Sequence, residues 1–102
     1  MTREERFGIG NRIDALLLDL LETLRRAGYL TATAKINALQ HALGITDSIR
    51  FFLQIAWESK LIKTKHYENL AIGIEEIGRM TNGWRKGVVS KTPPEKGGER
   101  NG

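Results

Sequence analysis

A chain of 102 residues with 40% hydrophobic and 27% charged content is sized for one small folded domain. It has no cysteine, which excludes disulfides and thiolate metal sites, and its apolar runs are too broken for a membrane-spanning helix. The formal charge of +4 is unevenly placed: no acidic residue occurs between Thr23 and Thr46, whereas Arg25, Arg26 and Lys35 do. An acid-free basic arc attracts polyanions, although charge alone fits an ordinary solvated surface equally well.

Residues 1–10 mix charge, glycine and the lone aromatic Phe7, and they lead into no signal-type apolar run, which points to a cytoplasmic protein. They read as an irregular entry, with Asn11 as the cap of a first helix over residues 12–27. Ile13, Leu16, Leu17, Leu20, Leu21 and Leu24 recur there at helical spacing on one face. Asp14, Asp19 and Glu22 occupy the rest, and Arg25 and Arg26 suit the negative end of the helix dipole. Gly28 is the expected left-handed terminator.

A second helix is predicted over residues 33–60, capped by Thr31 or Thr33. Ile36, Leu39, Leu43, Leu53 and Trp57 form one apolar row; Ala38, Ala42, Ile45, Ile49, Phe52 and Ala56 form another beside it. Two rows make a stripe wide enough for helices on two sides. After a short connection, Thr64 caps a third helix over residues 65–86. Tyr67, Leu70, Ile74, Ile77, Thr81 and Trp84 fall at alternating steps of three and four, the seam of a helix packed lengthwise on others. Gly73, Gly78 and Gly83 interrupt it, each at a cost of roughly 1 kcal/mol relative to Ala, which suggests that something approaches the backbone closely. Residues 88–102, with Pro93, Pro94, Gly97, Gly98 and Gly102, read as a disordered tail.

The expected fold is therefore all-α, an antiparallel up-down bundle of three long helices. Short connections make successive helices antiparallel, so one pole gathers Arg25, Arg26, Lys35, Arg85 and Lys86. The opposite pole gathers Arg3, Arg6, Arg12, Lys60, Lys63 and Lys65, diluted by Glu4, Glu5, Glu58 and Glu68. The first pole is the better phosphate-binding candidate.

Catalytic signals are weak. His41 and His66 lie on different elements, and neither pairs at i, i+4 with a second histidine or carboxylate to hold a metal. Adjacent helix positions such as Glu75 and Glu76 face about 100° apart, which fits a solvated face better than acid–base work. No Gly-rich phosphate loop and no Ser-centred elbow occurs. A non-enzyme without cofactor, metal or small-molecule substrate is expected. Trp57 and Trp84, at seam positions, read as core ahead of base-stacking platforms. Gly78 beside Arg79 could seat a second subunit's helix, or be a local adjustment within the bundle.

Three segments carry a family resemblance: Arg6-Phe7-Gly8-Ile9-Gly10-Asn11-Arg12-Ile13, the block from Leu16 to Leu24, and Glu76-Ile77-Gly78-Arg79-Met80 followed by Gly83-Trp84. They resemble Avd, the accessory variability proteins of diversity-generating retroelements, small four-helix bundles related to proteins encoded in intervening sequences of bacterial 23S ribosomal RNA genes. The similarity spans roughly Arg6 to Lys86, and the glycine–tryptophan ending is its most specific part. The resemblance implies a basic homo-oligomer, typically a pentameric ring. It implies partnership with nucleic acid (template RNA or cDNA) and the element's reverse transcriptase, and no catalytic activity. Arg25, Arg26, Lys35, Arg79, Arg85 and Lys86 are the nucleic-acid candidates, chosen by charge and pole. Trp57, Ile77, Gly78 and Trp84 are the packing or oligomer candidates.

Family chains carry a further helix before the Arg-Phe-x-x-Gly run, and this chain starts almost at that run. The expectation is a short-start version, or a bundle completed by a neighbouring subunit. The wide stripe on the second helix would then be partly exposed and would drive self-association together with the third helix. The alternative is a structural or interaction module, such as an intervening-sequence protein with no defined partner.

Overall fold

The computed structural model describes residues 3–91, and side chains from residue 8 onward. Three helices make up the fold: α1 (Arg3–Ala27), α2 (Ala32–Glu58) and α3 (Thr64–Lys91). The architecture is an antiparallel up-down bundle, with no strand among the described residues.

The centre is α2, because its double apolar row can serve two neighbours. Ala38, Leu39, Ala42, Ile45, Thr46, Ile49, Leu53 and Ala56 are all buried along it. Leu20 of α1 and Ile74 of α3 close the main core over Ala42, Ile45, Ile49 and Leu53. Ile13, Leu16, Leu17, Leu24, Tyr67 and Ile77 pack around them, partly buried. The middle of the stripe is thus covered within the chain, while Ile36, Leu43, Phe52 and Trp57 along its margins are half-buried. Exposure falls elsewhere, because α1 and α3 both pack on α2 while none of their Cα atoms approach one another within 8 Å.

The helix ends differ from the sequence expectation in four places. Residues 3–10 are helical, not an irregular entry, and Asn11 lies inside α1 without a capping position. Half-buried Ile9 extends the face of Ile13, Leu16 and Leu20 by one turn, which outweighs the two neighbouring glycines. At the other end of α1, Gly28 is not left-handed. The turn closes through tight i to i+3 bonds, Gly28 N–H to Arg25 O (3.3 Å), Tyr29 N–H to Arg26 O (3.0 Å) and Leu30 N–H to Ala27 O (3.3 Å).

The left-handed terminator is instead Lys60, with φ 64°, after α2 has ended at Glu58. Leu61 N–H reaches back to Ala56 O (2.8 Å) and Lys60 N–H to Trp57 O (2.9 Å), the bond pair of a Schellman ending. Finally, α3 continues to Lys91 and does not stop near Lys86, because Val88 packs against Ala27, Ala38 and Leu39. The rest of the expected tail, residues 92–102, lies outside the described residues.

Candidate nucleic-acid interface

The second core cluster fixes the basic pole. Ala27 at the end of α1, Ala38 and Leu39 near the start of α2, and Val88 near the end of α3 pack together with Leu24 and Leu30. Three helix ends distant in sequence are therefore held side by side, and their polar neighbours come with them. Arg25, Arg26 and Lys86 are exposed there, and Lys35 and Arg85 are half-buried. Lys35 lies on the inward side of α2, with its Nζ 5.9 Å from the centroid of the Trp84 ring. That cation–π contact joins the start of α2 to the end of α3.

The cations are not equally free. Arg25 forms a two-point pair with Glu22, Nη2 to Oε2 at 2.6 Å and Nε to Oε1 at 3.2 Å. The hydrogen bond and then the charge of Arg25 lower the Glu22 pKa, and Glu22 raises that of Arg25 in return. Both side chains face solvent, so salt screens this pair. Arg85 donates from Nη2 to Asn82 Oδ1 (2.9 Å), while its Nε is buried without a partner among the described residues. Neither Arg26 nor Lys86 makes a side-chain ion pair within the described residues. Arg79 does not belong to this group: it lies about 9 Å back from Arg85 along the helix axis and pairs with Glu76.

The four packing candidates separate in the same way. Ile77 is half-buried against the main core. Trp57 is half-buried in a parallel stack on Tyr67 (4.7 Å, 8°), and its indole N–H donates to Thr64 Oγ1 at 3.0 Å. Trp84 is 38% exposed and is no core residue, because it sits on the side of α3 that faces the gap toward α1. Gly78 faces inward: a Cβ there would meet Thr46 Oγ1 of α2 at 3.7 Å, an ordinary contact. It faces α2 of its own chain, with room for a methyl group. Gly73 and Gly83 have open space where a Cβ would be, and nothing in this chain approaches them.

Two features were not legible beforehand. An apolar groove runs between α1 and α3, with a volume of about 410 Å³ bounded by Ile13, Leu17, Leu53, Leu70, Gly73 and Ile77. A second apolar hollow of about 290 Å³, meeting the first at Ile77, lies along Leu21, Leu24, Met80 and Trp84. The other is Tyr29, 83% exposed on the α1–α2 turn beside the basic pole. Its position just after Gly28 was the available signal. No helix is long and apolar enough to cross a membrane, and no group of three or more potential metal ligands occurs, both among the described residues.

Comparison with protein-family models, with curated proteins and with solved structures gives no match.

Proposed function

We propose that the chain is a non-enzymatic accessory protein of a diversity-generating retroelement, binding nucleic acid and the element's reverse transcriptase through the basic pole of a homo-oligomer. The observation that carries the nucleic-acid part is the convergence of Arg25, Arg26, Lys35, Arg85 and Lys86 on one end of the bundle. The sole carboxylate close to them in sequence, Glu22, is already engaged by Arg25. A dense cationic surface gains affinity for phosphates by releasing their counterions. The retroelement setting and the reverse transcriptase rest on the sequence resemblance to Avd, and the expected absence of a catalytic role rests on that resemblance together with the weak catalytic signals of the sequence.

Self-association is supported by the groove. Its α3 wall, from Asn69 to Trp84, is about 22 Å long, enough to receive a helix of four turns. Leu21 (61% exposed) and Met80 (60%) add apolar surface along it. Residues 92–102 carry no Leu, Ile, Val, Met or aromatic side chain that could fill it, so a helix of a second copy is the proposed occupant. The same groove also favours the second reading, a protein-interaction module with incidental charge.

Charge reversal separates the two readings. Under the first, R25E/R26E abolishes binding of a fluorescent 20-nucleotide RNA measured by anisotropy, with the helical circular dichroism unchanged. Unaltered binding by that variant would favour the interaction module.

A further inference from the structure

We propose that the nucleic acid taken by this pole is single-stranded, with the Tyr29 ring as the platform on which one unpaired base stacks; the inference rests on the pole being a nucleic-acid surface. Tyr29 is the most exposed large apolar side chain of the described residues, at 83%. Yet the turn that carries it is anchored on both sides. Its own N–H is bonded to Arg26 O, and the next residue, Leu30, is half-buried against the Ala27–Leu39 cluster. The backbone thus fixes where the side chain leaves the turn, so only the two side-chain torsions have to be ordered when something stacks on the ring.

The surroundings select the partner. Arg25 and Arg26 precede the ring by one helical turn, both exposed, and no carboxylate occurs from Thr23 to Thr46. A ring set among cations is matched by a ligand that alternates flat apolar faces with phosphates. Inside a duplex both faces of every base are covered by its neighbours, so a turn-borne ring can stack only on an unpaired or terminal base. The other aromatic residue at this pole is already engaged. Trp84 has the Lys35 ammonium over its ring and shares its groove with Leu21, Leu24 and Met80. No ring partner of Tyr29 occurs among the described residues, where the ring pairs are Phe51–Phe52 and Trp57–Tyr67. One free ring means one stacked base, and a preference for unpaired strands without sequence selectivity.

The test is anisotropy of the full chain with a 20-nucleotide single strand, as RNA and as DNA of the same sequence, and with the corresponding 20-base-pair duplexes. The single strands are expected to bind more tightly than either duplex. Y29A should weaken single-strand binding by about 5- to 150-fold, the range of one base–aromatic stack, and leave duplex binding and the salt slope unchanged. Y29F should bind as the wild type does, because the ring and not the hydroxyl is the platform. Equal or tighter duplex binding would overturn the proposal. So would Y29A binding as wild type while R25E/R26E does not bind, and in that case the nucleic-acid reading itself survives. Failure of every probe to bind the wild type would overturn both. Stacking treats RNA and DNA alike, so Y29A is expected to weaken both single strands, and a loss confined to the RNA would overturn the ring as a base platform.

Discussion

At the scale of single residues, function and stability are divided among side chains that look alike in the sequence. Arg25 and Arg26 are adjacent, but Arg25 is clamped by Glu22 and Arg26 makes no ion pair within the described residues. Removing the clamp should free a cation for phosphate. E22Q is therefore expected to bind an RNA strand more tightly than wild type, with a log–log salt slope steeper by ~0.7, one more phosphate contact on a single strand. A titration of affinity against salt reads this directly. The linkage sign is that of a carboxylate whose folded pKa is lowered. Any stability the pair adds is present above the ordinary carboxylate pKa and is lost as pH falls through the lowered value of Glu22. The pair is solvent-exposed, so E22Q should leave the melting midpoint unchanged at neutral pH.

Lys60 makes the opposite point. It occupies a left-handed position, φ 64°, at which an ordinary side chain costs energy and glycine does not. K60G is expected to raise stability by about 0.5–1 kcal/mol in denaturant melts, where a midpoint unchanged or lowered would contradict the Schellman assignment.

At the scale of elements, the middle of α2 was legible and the helix ends were not. The double row on α2 is dense enough that Leu39, Ala42, Ile49 and Leu53 could only be core, and all are buried. Each end, by contrast, depends on a single apolar residue packing at a distance. Ile9 extends α1 past Gly10, and Val88 carries α3 past Gly87, although local propensity argues for stopping. The terminators exchanged roles for a similar reason. A glycine permits a left-handed cap without requiring one, and the tight turn after Ala27 sets the chain direction without it.

Electrostatic and aromatic ties are secondary to this packing. Arg50 links α2 to Glu75 of α3 at 3.4 Å while also pairing with Asp47 of its own helix, and Arg12 lies over Phe52 at 5.6 Å. The exposed Arg50 pair contributes little by itself. Leu39→Ala, at a fully buried site joining all three helix ends, should cost about 2–5 kcal/mol, a large share of a small domain's stability. Because Leu39 supports the pole, that variant is also expected to lose nucleic-acid binding together with its cooperative thermal transition. A melt as cooperative as wild type would show that the pole is not organised by this cluster.

At the scale of the whole molecule, the decisive feature is that α2 separates α1 from α3. The seam pattern on α3 told which residues face the bundle. It could not tell that Leu70 and Trp84 border an open groove, since that depends on how two helices splay around a third. The same splay leaves Gly73 and Gly83 open, and a Cβ at Gly78 would make only ordinary contact with Thr46, so the close approach that the glycines suggested is not met within the chain. The proposed filling of the groove by a second copy predicts an oligomer in light scattering at tens of micromolar. L21E/M80E, which places two charges in the groove, should shift it to monomer with the fold intact. A monodisperse wild-type monomer would contradict self-association and leave the basic pole untouched.

The pole, in turn, is a property of the whole, since it exists only where three helix ends meet. The most direct test of its role is the salt dependence of RNA binding by the wild-type chain. The account predicts a straight log–log plot whose slope corresponds to three to five phosphate contacts, about −2 to −3.5 for a single strand. It also predicts that the slope falls by ~0.7 for each of R26A and K86A. Binding that is absent at low salt, or present but insensitive to salt, would contradict it.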